Sequence, residues 1–280
     1  MATVAYSENQ SNDPTGSYEV LGPYGLIQAP NGCNSDQLRQ ARLELAACYR
    51  IMHNLGMNEG VDNHLTVLVP GTKDRFLCVA YGISWSEVTA SNLLLLNSNG
   101  DVLEGNGAPD PTAFFIHSRI HEKHPHATCV LHTHMPYATA LTSLKDMELK
   151  MVTQTSLRFY DEVAYDTEYN GLVLGQEEGD RLAACMGSKR VLLQQNHGVI
   201  TCGSTVAEAF DEMYFLERAA RVQLLTYNTG REFVLVDDAV TLEFKRQTDL
   251  YRGVWAAKHF DAQRRCLYKP AALGDADFAS

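Results

Sequence analysis

Two histidines separated by a single residue, His132 and His134, follow the apolar run of residues 129–131. Such a run is typical of a buried strand, and side chains two positions apart on a strand point to the same side. A third histidine, His197, follows a second apolar run and precedes Gly198. Three neutral imidazoles with one open position form a common catalytic zinc arrangement, and the same donors suit iron. The spacing therefore predicts a divalent metal centre on His132, His134 and His197, with zinc expected first and Fe(II) or Mn as alternatives.

The composition of the 280-residue chain limits the classes of function that it can have. It carries 23 Lys and Arg against 34 Asp and Glu, a formal net charge of −11, and no basic run. Nucleic-acid binding is disfavoured because Lys and Arg must neutralise the phosphates. The first residues lack a signal-peptide pattern, no apolar stretch has membrane-spanning length, and the seven cysteines show no paired spacing. We expect a cytoplasmic, reduced protein that acts on a small molecule, with no membrane or nucleic-acid partner.

The elements that must position the histidines alternate between helices and strands. Apolar spacings of three and four predict a first helix over residues 37–55, capped by Ser35 or Asp36. Apolar and alternating runs predict strands at residues 63–69, 76–80, 93–96 and 128–134, with a hairpin from the third strand into residues 102–103. Further helices are predicted from Asp110-Pro111 onward and at residues 137–144, 179–186 and 205–227, with short β-like runs over residues 151–174.

This order predicts an α/β chain in three segments. Residues 1–33, rich in Ser, Asn, Gly and Pro, form an N-terminal arm, and residues 34–230 form the main domain. Residues 231–280 form a C-terminal extension in which Leu250, Trp255 and Phe260 are expected to pack on the core or on a partner subunit.

Five motifs resemble, in their order and spacing, those of the class II aldolase/adducin family. They are residues 60–66 (GVDNHLT), 88–93 (VTASNL), 116–121 (IHSRIH), 132–134 (HTH) and 195–198 (QNHG). The resemblance covers residues 38–225 and implies a three-layer α/β/α fold with a central, largely antiparallel sheet. It also implies a homotetramer with sites near subunit interfaces, and a divalent metal on the three histidines. In the family's sugar-phosphate aldolases this metal polarises a carbonyl, so that the adjacent carbon–carbon bond can form or break.

The chain departs from the aldolase pattern at the acid and at the phosphate site. Ala113 stands where the aldolases carry an acidic residue, and Ala can neither abstract a proton nor bind a metal. The phosphate-binding positions of the aldolases correspond to His64, Tyr81-Gly82 and Pro111-Thr112, which keep only the glycine and one hydroxyl. Because a phosphate needs several convergent donors, we expect a substrate without phosphate.

Other residues could take over the role of the missing acid. The catalytic candidates are His64, whose imidazole titrates near neutral pH, Tyr160 and Glu59. The substrate-binding candidates are Tyr81, Gly82, Thr112 and Phe114. His117 and His121, one helical turn apart, are expected to pack near the site rather than to bind a second metal.

Three functions fit these residues. The first is a metal-dependent lyase that cleaves or decarboxylates a small, unphosphorylated hydroxy or keto acid. The second is a non-haem iron(II) oxygenase or decarboxylase for an aromatic hydroxy acid, which the apolar Tyr81 and Phe114 would suit. The third is a non-catalytic scaffold of the adducin type, for which the intact metal histidines would have no use.

Overall fold

The computed structural model describes residues 34–268, and the expected N-terminal arm lies outside this range. Its centre is one eight-stranded sheet in the order β4-β3-β2-β1-β5-β8-β7-β6. All neighbouring strands are antiparallel except the parallel pair β6 and β7. The strands are β1 (His64–Leu68), β2 (Arg75–Val79), β3 (Leu93–Asn97), β4 (Val102–Glu104), β5 (Cys129–Thr133), β6 (Val163–Asp166), β7 (Val191–Gln194) and β8 (Val199–Gly203). The predicted hairpin corresponds to β3 and β4.

Helices cover both faces of the sheet and give the predicted α/β/α arrangement. The helices are α1 (Ser35–Asn54), α2 (Pro111–Lys123), α3 (Pro136–Thr142), α4 (Gln154–Leu157), α5 (Gln176–Met186), α6 (Val206–Tyr227) and α7 (Asp238–Leu267). Helices α2 and α5 pack together on one face, whereas α1 and α6 lie on the other, with α7 outside them. The fold class expected from the sequence is confirmed.

Local sequence signals explain where several helices begin. The side chain of Asp110 accepts hydrogen bonds from the backbone of Thr112 and Ala113, and Pro111 occupies the first helical position of α2, as predicted. The cap of α1 is Asn34, not Ser35 or Asp36, and its side chain accepts from the N–H of Gln37. The prediction was one residue late because Asn, Ser and Asp are nearly equivalent caps.

The segment between α3 and α5 holds less strand than the sequence indicated. Residues 151–174 were expected to contain several β-like runs, but they form the short helix α4 and the single strand β6. Thr153 caps α4 by accepting from the N–H of Ser156. A capped helical turn therefore occupies part of the segment that was expected to be β-like.

The C-terminal helix α7 contacts the core through only part of its apolar surface. Phe260 is 3% exposed and packs against Phe210 of α6, with ring centroids 5.6 Å apart. Leu250 and Trp255 remain 68% and 44% exposed. No helix within residues 34–268 is both long and apolar enough to cross a membrane. The six cysteines of these residues are free thiols.

Candidate metal centre and its surroundings

Three loop and strand positions bring His132, His134 and His197 together. His132 lies on β5, His134 follows one residue after β5 ends, and His197 lies in the turn between β7 and β8. Asn196 gives that turn its shape with a positive φ of 57°, which Asn tolerates better than most residues. One ligand nitrogen from each histidine lies within 4.8 Å of the other two. The structure thus brings together all three histidines named from the sequence.

The hydrogen bonds of these histidines leave the right atoms free for a metal. The Nδ1 of His132 lies 3.0 Å from the carbonyl of Val199, and the Nδ1 of His134 lies 2.8 Å from Oε2 of Glu59. Both acceptors require an Nδ1–H donor, so each Nε2 carries a lone pair in the neutral imidazole. The two Nε2 atoms face each other at 3.1 Å, where two lone pairs repel unless a cation lies between them. Such outward hydrogen bonds are typical of metal-binding histidines, and this donor set fits a divalent ion.

Gly198 allows the close approach of the turn to the β5 histidines. A Cβ atom at this position would lie 2.7 Å from Cδ2 of His134 and 2.7 Å from the carbonyl oxygen of Thr133. It would also lie 3.3 Å from Cε1 of His132. Any larger residue would therefore displace the imidazoles, which explains why glycine follows His197.

A fourth imidazole, His64, lies beside the centre. The β1–β5 register pairs His64 directly with His132, and their ring centroids are 4.8 Å apart. The Nδ1 of His64 contacts Nε2 of His117 on α2 at 2.9 Å. The Nε2 of His64 has no hydrogen-bond partner among residues 34–268. His64 therefore contacts the ring of His132 and leaves its own Nε2 without a hydrogen-bond partner in this part of the chain.

Burial keeps His64, His132 and His197 uncharged. It lowers the pKa of His64 to about 3, against a smaller raising effect of Asp110, and the nearby His134 and His197 lower it further. Burial, together with His134, also lowers the pKa of His197 to about 4. The pKa of His132 falls well below its ordinary value for the same main reason. A neutral imidazole is the form that binds a metal or accepts a proton. The lowered pKa corrects the near-neutral titration expected for His64, and it makes this imidazole a weaker base than a solvent-exposed one.

The remaining predicted site residues have more varied surroundings. Glu59 accepts a hydrogen bond from Nδ1 of His134 at 2.8 Å, so its carboxylate orients that imidazole. Thr112 donates its hydroxyl to Asp110 at 2.6 Å. Tyr81 is 55% exposed, and its hydroxyl reaches Asp62 at 3.4 Å.

Gly82, Phe114 and Tyr160 are less closely tied to the histidines. Gly82 adopts a positive φ of 92° in the turn after β2. Phe114 stacks on Phe76 with centroids 6.3 Å apart and closes over Gly100. Tyr160 is half-buried after α4, without a hydrogen bond or ring contact to the three histidines within the described part of the chain.

The sequence analysis missed the importance of Thr66. Its Oγ1 lies 2.7 Å from Nδ1 of His117 and 2.7 Å from Nε2 of His121. The Nδ1 of His121 in turn lies 2.6 Å from the carbonyl of Ala127. The signal was present as a polar residue two positions after His64 on one strand and two histidines four positions apart on one helix. Only the packing of α2 on β1 joins these two patterns.

Comparison with known proteins agrees with this geometry. A sequence-family model, described as the class II aldolase and adducin N-terminal domain, matches residues 43–224. A protein of Caulobacter vibrioides provisionally named aldolase class 2 protein is 34% identical over 217 residues, which cover 77% of this chain and 84% of that protein. Human beta-adducin is 31% identical over 276 residues, which cover 95% of this chain but 36% of beta-adducin.

A solved structure extends the comparison to the fold. L-fuculose 1-phosphate aldolase from Glaciozyma antarctica PI12 superimposes with a TM-score of 0.76 at 25% identity, covering 90% of this chain and 97% of that one. The motifs, the fold and the sequence matches agree, and the chain belongs to the class II aldolase and adducin family.

Proposed function

We propose that the protein is a metal-dependent lyase that cleaves a carbon–carbon bond in a small, unphosphorylated hydroxy or keto acid. The observation that carries this proposal is the convergence of His132, His134 and His197, with the Nε2 atoms of His132 and His134 3.1 Å apart. A divalent ion held by these three imidazoles, most simply zinc, would polarise the substrate carbonyl and stabilise negative charge on its oxygen.

His64 is the residue best suited to move the proton. In the cleavage of a 4-hydroxy-2-keto acid, its Nε2 takes the proton of the C4 hydroxyl while the C3–C4 bond breaks. The C4–O bond becomes an aldehyde carbonyl, and the electron pair of the broken bond moves toward the 2-keto group. His64 then returns its proton to C3, which gives a 2-keto acid and an aldehyde. Ala113, 4% exposed and one turn before His117, has no group that could take this role.

The surroundings of the site favour a substrate without phosphate. The hydroxyl of Thr112 is already donated to Asp110, and Pro111 has no N–H to offer. The charged side chain that acts on His64 is the carboxylate of Asp110, which would repel a dianion. A carboxylate carries less charge and could bind at the open position of the metal. The relative from Glaciozyma antarctica, by its name, acts on a sugar phosphate, so the proposal separates this chain from that activity.

Two substrates test the proposal directly. We expect the zinc-loaded protein to release pyruvate from 4-hydroxy-2-oxopentanoate, and to give no cleavage of L-fuculose 1-phosphate above the level of chelated protein. The His64→Ala variant should keep its metal and lose pyruvate release, whereas His126→Ala, remote from the centre and bonded to Lys189, should keep both. Efficient cleavage of L-fuculose 1-phosphate would refute the substrate class. An unaffected His64→Ala enzyme would refute only the role of that residue.

The same preparation distinguishes the other two functions. Iron bound after aerobic purification, together with oxygen uptake on an aromatic hydroxy acid, would replace the lyase with an oxygenase. No metal binding at all would favour an adducin-like scaffold, since beta-adducin shares 31% identity with this chain.

A further inference from the structure

Four side chains form one continuous hydrogen-bonded row from the interior of the protein to the metal centre. The row begins at the carbonyl of Ala127, continues through His121, Thr66 and His117, and ends at His64. Its four contacts measure 2.6, 2.7, 2.7 and 2.9 Å. All four side chains are at most 6% exposed. Water therefore has little opportunity to supply alternative partners.

The direction of every hydrogen bond in the row follows from its first member. A carbonyl oxygen can only accept, so Nδ1 of His121 must donate to Ala127, and Nε2 of the neutral ring must accept. Nε2 of His121 therefore accepts a hydrogen bond from the hydroxyl of Thr66, which has only one proton to donate. Thr66 can then only accept from His117, which places the proton of His117 on Nδ1. The remaining lone pair on Nε2 of His117 requires His64 to donate from Nδ1.

Burial supports the neutral state that this assignment needs. It lowers the pKa of His121 to about 4 and that of His117 well below its ordinary value. If His117 were doubly protonated, it would donate to His64 and reverse the last bond. Because His117 and His121 are both neutral, the hydrogen bonds of the row can run in only one direction.

We propose that Thr66, His117 and His121 are positioning residues that hold His64 as the Nδ1–H tautomer and so present its unprotonated Nε2 to the metal centre. The tautomer follows from the hydrogen-bond geometry of these buried, neutral rings, and the catalytic value of that Nε2 rests on the function proposed above. His64 then enters the reaction as a base rather than as an acid. Because the row ends at a carbonyl, which cannot keep a proton, the proton taken from the substrate stays available for return to the product.

Nitrogen-15 NMR of the full-length, zinc-loaded protein with labelled histidine tests the tautomer without any substrate. We expect His64, His117 and His121 each to show a protonated Nδ1 and an unprotonated Nε2. In the Thr66→Val variant, the row is cut, and signal from a protonated Nε2 should appear for His64. Thr66→Ser keeps a hydroxyl and should keep the wild-type tautomer. Circular dichroism and zinc content confirm that each variant is folded and loaded.

A second variant keeps the test decisive if Thr66→Val does not fold. In His121→Met, the hydroxyl of Thr66 loses its acceptor and can turn toward His117. The row can then reverse, and His64 should gain a protonated Nε2. An Nε2–H tautomer of His64 in the wild type would overturn the proposal, as would a His64 signal that neither variant changes. Neither result depends on pyruvate release, so a failure of the lyase proposal is recognised separately.

Discussion

Replacement of Gly198 by alanine tests how tightly the turn and the β5 histidines must fit. The added Cβ would lie 2.7 Å from Cδ2 of His134 and from the carbonyl oxygen of Thr133, about 0.7 Å closer than an ordinary contact. The Thr133 carbonyl belongs to strand β5 and cannot rotate away. The imidazole of His134 and the turn that carries His197 must therefore move instead. Functional sites tolerate displacements of roughly 0.5 Å.

We therefore expect Gly198→Ala to weaken zinc binding roughly 10- to 100-fold, about 1.4–2.7 kcal/mol, with a loss of about 1–3 kcal/mol in the free energy of unfolding. Competition with a fluorescent chelator measures the affinity, and urea unfolding measures the stability. Gly175→Ala is the matched control, because Gly175 has an extended φ of −158° and its Cβ would meet nothing within 4 Å. Zinc affinity within twofold of wild type in Gly198→Ala would refute the packing argument.

Three further outcomes follow from the same contacts. Glu59→Ala removes the acceptor of His134 and should weaken zinc binding about tenfold in the chelator assay, and unchanged affinity would exclude the positioning role. The pKa of His121 is lowered to about 4, so its stabilising effect is complete above about pH 6.5 and is lost as the pH falls toward 4. Urea unfolding should show about 2 kcal/mol less stability at pH 5 than at pH 7 from this group, and His121→Gln should have a shallower slope. Light scattering should give about four times the 31.1 kDa chain mass, since Leu250 and Trp255 are exposed, and a monomer would contradict the expected homotetramer.

Local patterns were sufficient to predict most helices and strands and the three converging histidines, whereas the α/β/α arrangement was implied by the family resemblance. The alternation of side chains along β5 and the apolar run before His197 are encoded within a few residues, and so is the Asp110-Pro111 start of α2. His134 lies beyond the end of β5 yet still reaches His132, because the extended chain keeps its alternation for one more residue. Short-range geometry of this kind can be inferred from the sequence.

Contacts between distant segments could not be inferred in the same way. Thr66 meets His117 across 51 positions, and Glu59 meets His134 across 75. Each contact depends on how elements pack, which no local periodicity encodes. For the same reason, the sequence did not show which apolar residues of α7 would be buried. Phe260 packs on the core, whereas Leu250 and Trp255 stay exposed.

Metal analysis of the purified protein shows whether His132, His134 and His197 hold a divalent ion. We expect about one divalent ion per chain by mass spectrometry of the wild type, and at least a tenfold loss of occupancy when His132, His134 or His197 is replaced singly by alanine. The His126→Ala control should keep full occupancy, because its Nε2 contacts the Lys189 carbonyl outside the centre. Full occupancy in all three single variants, or no metal in the wild type after incubation with zinc, would contradict the account.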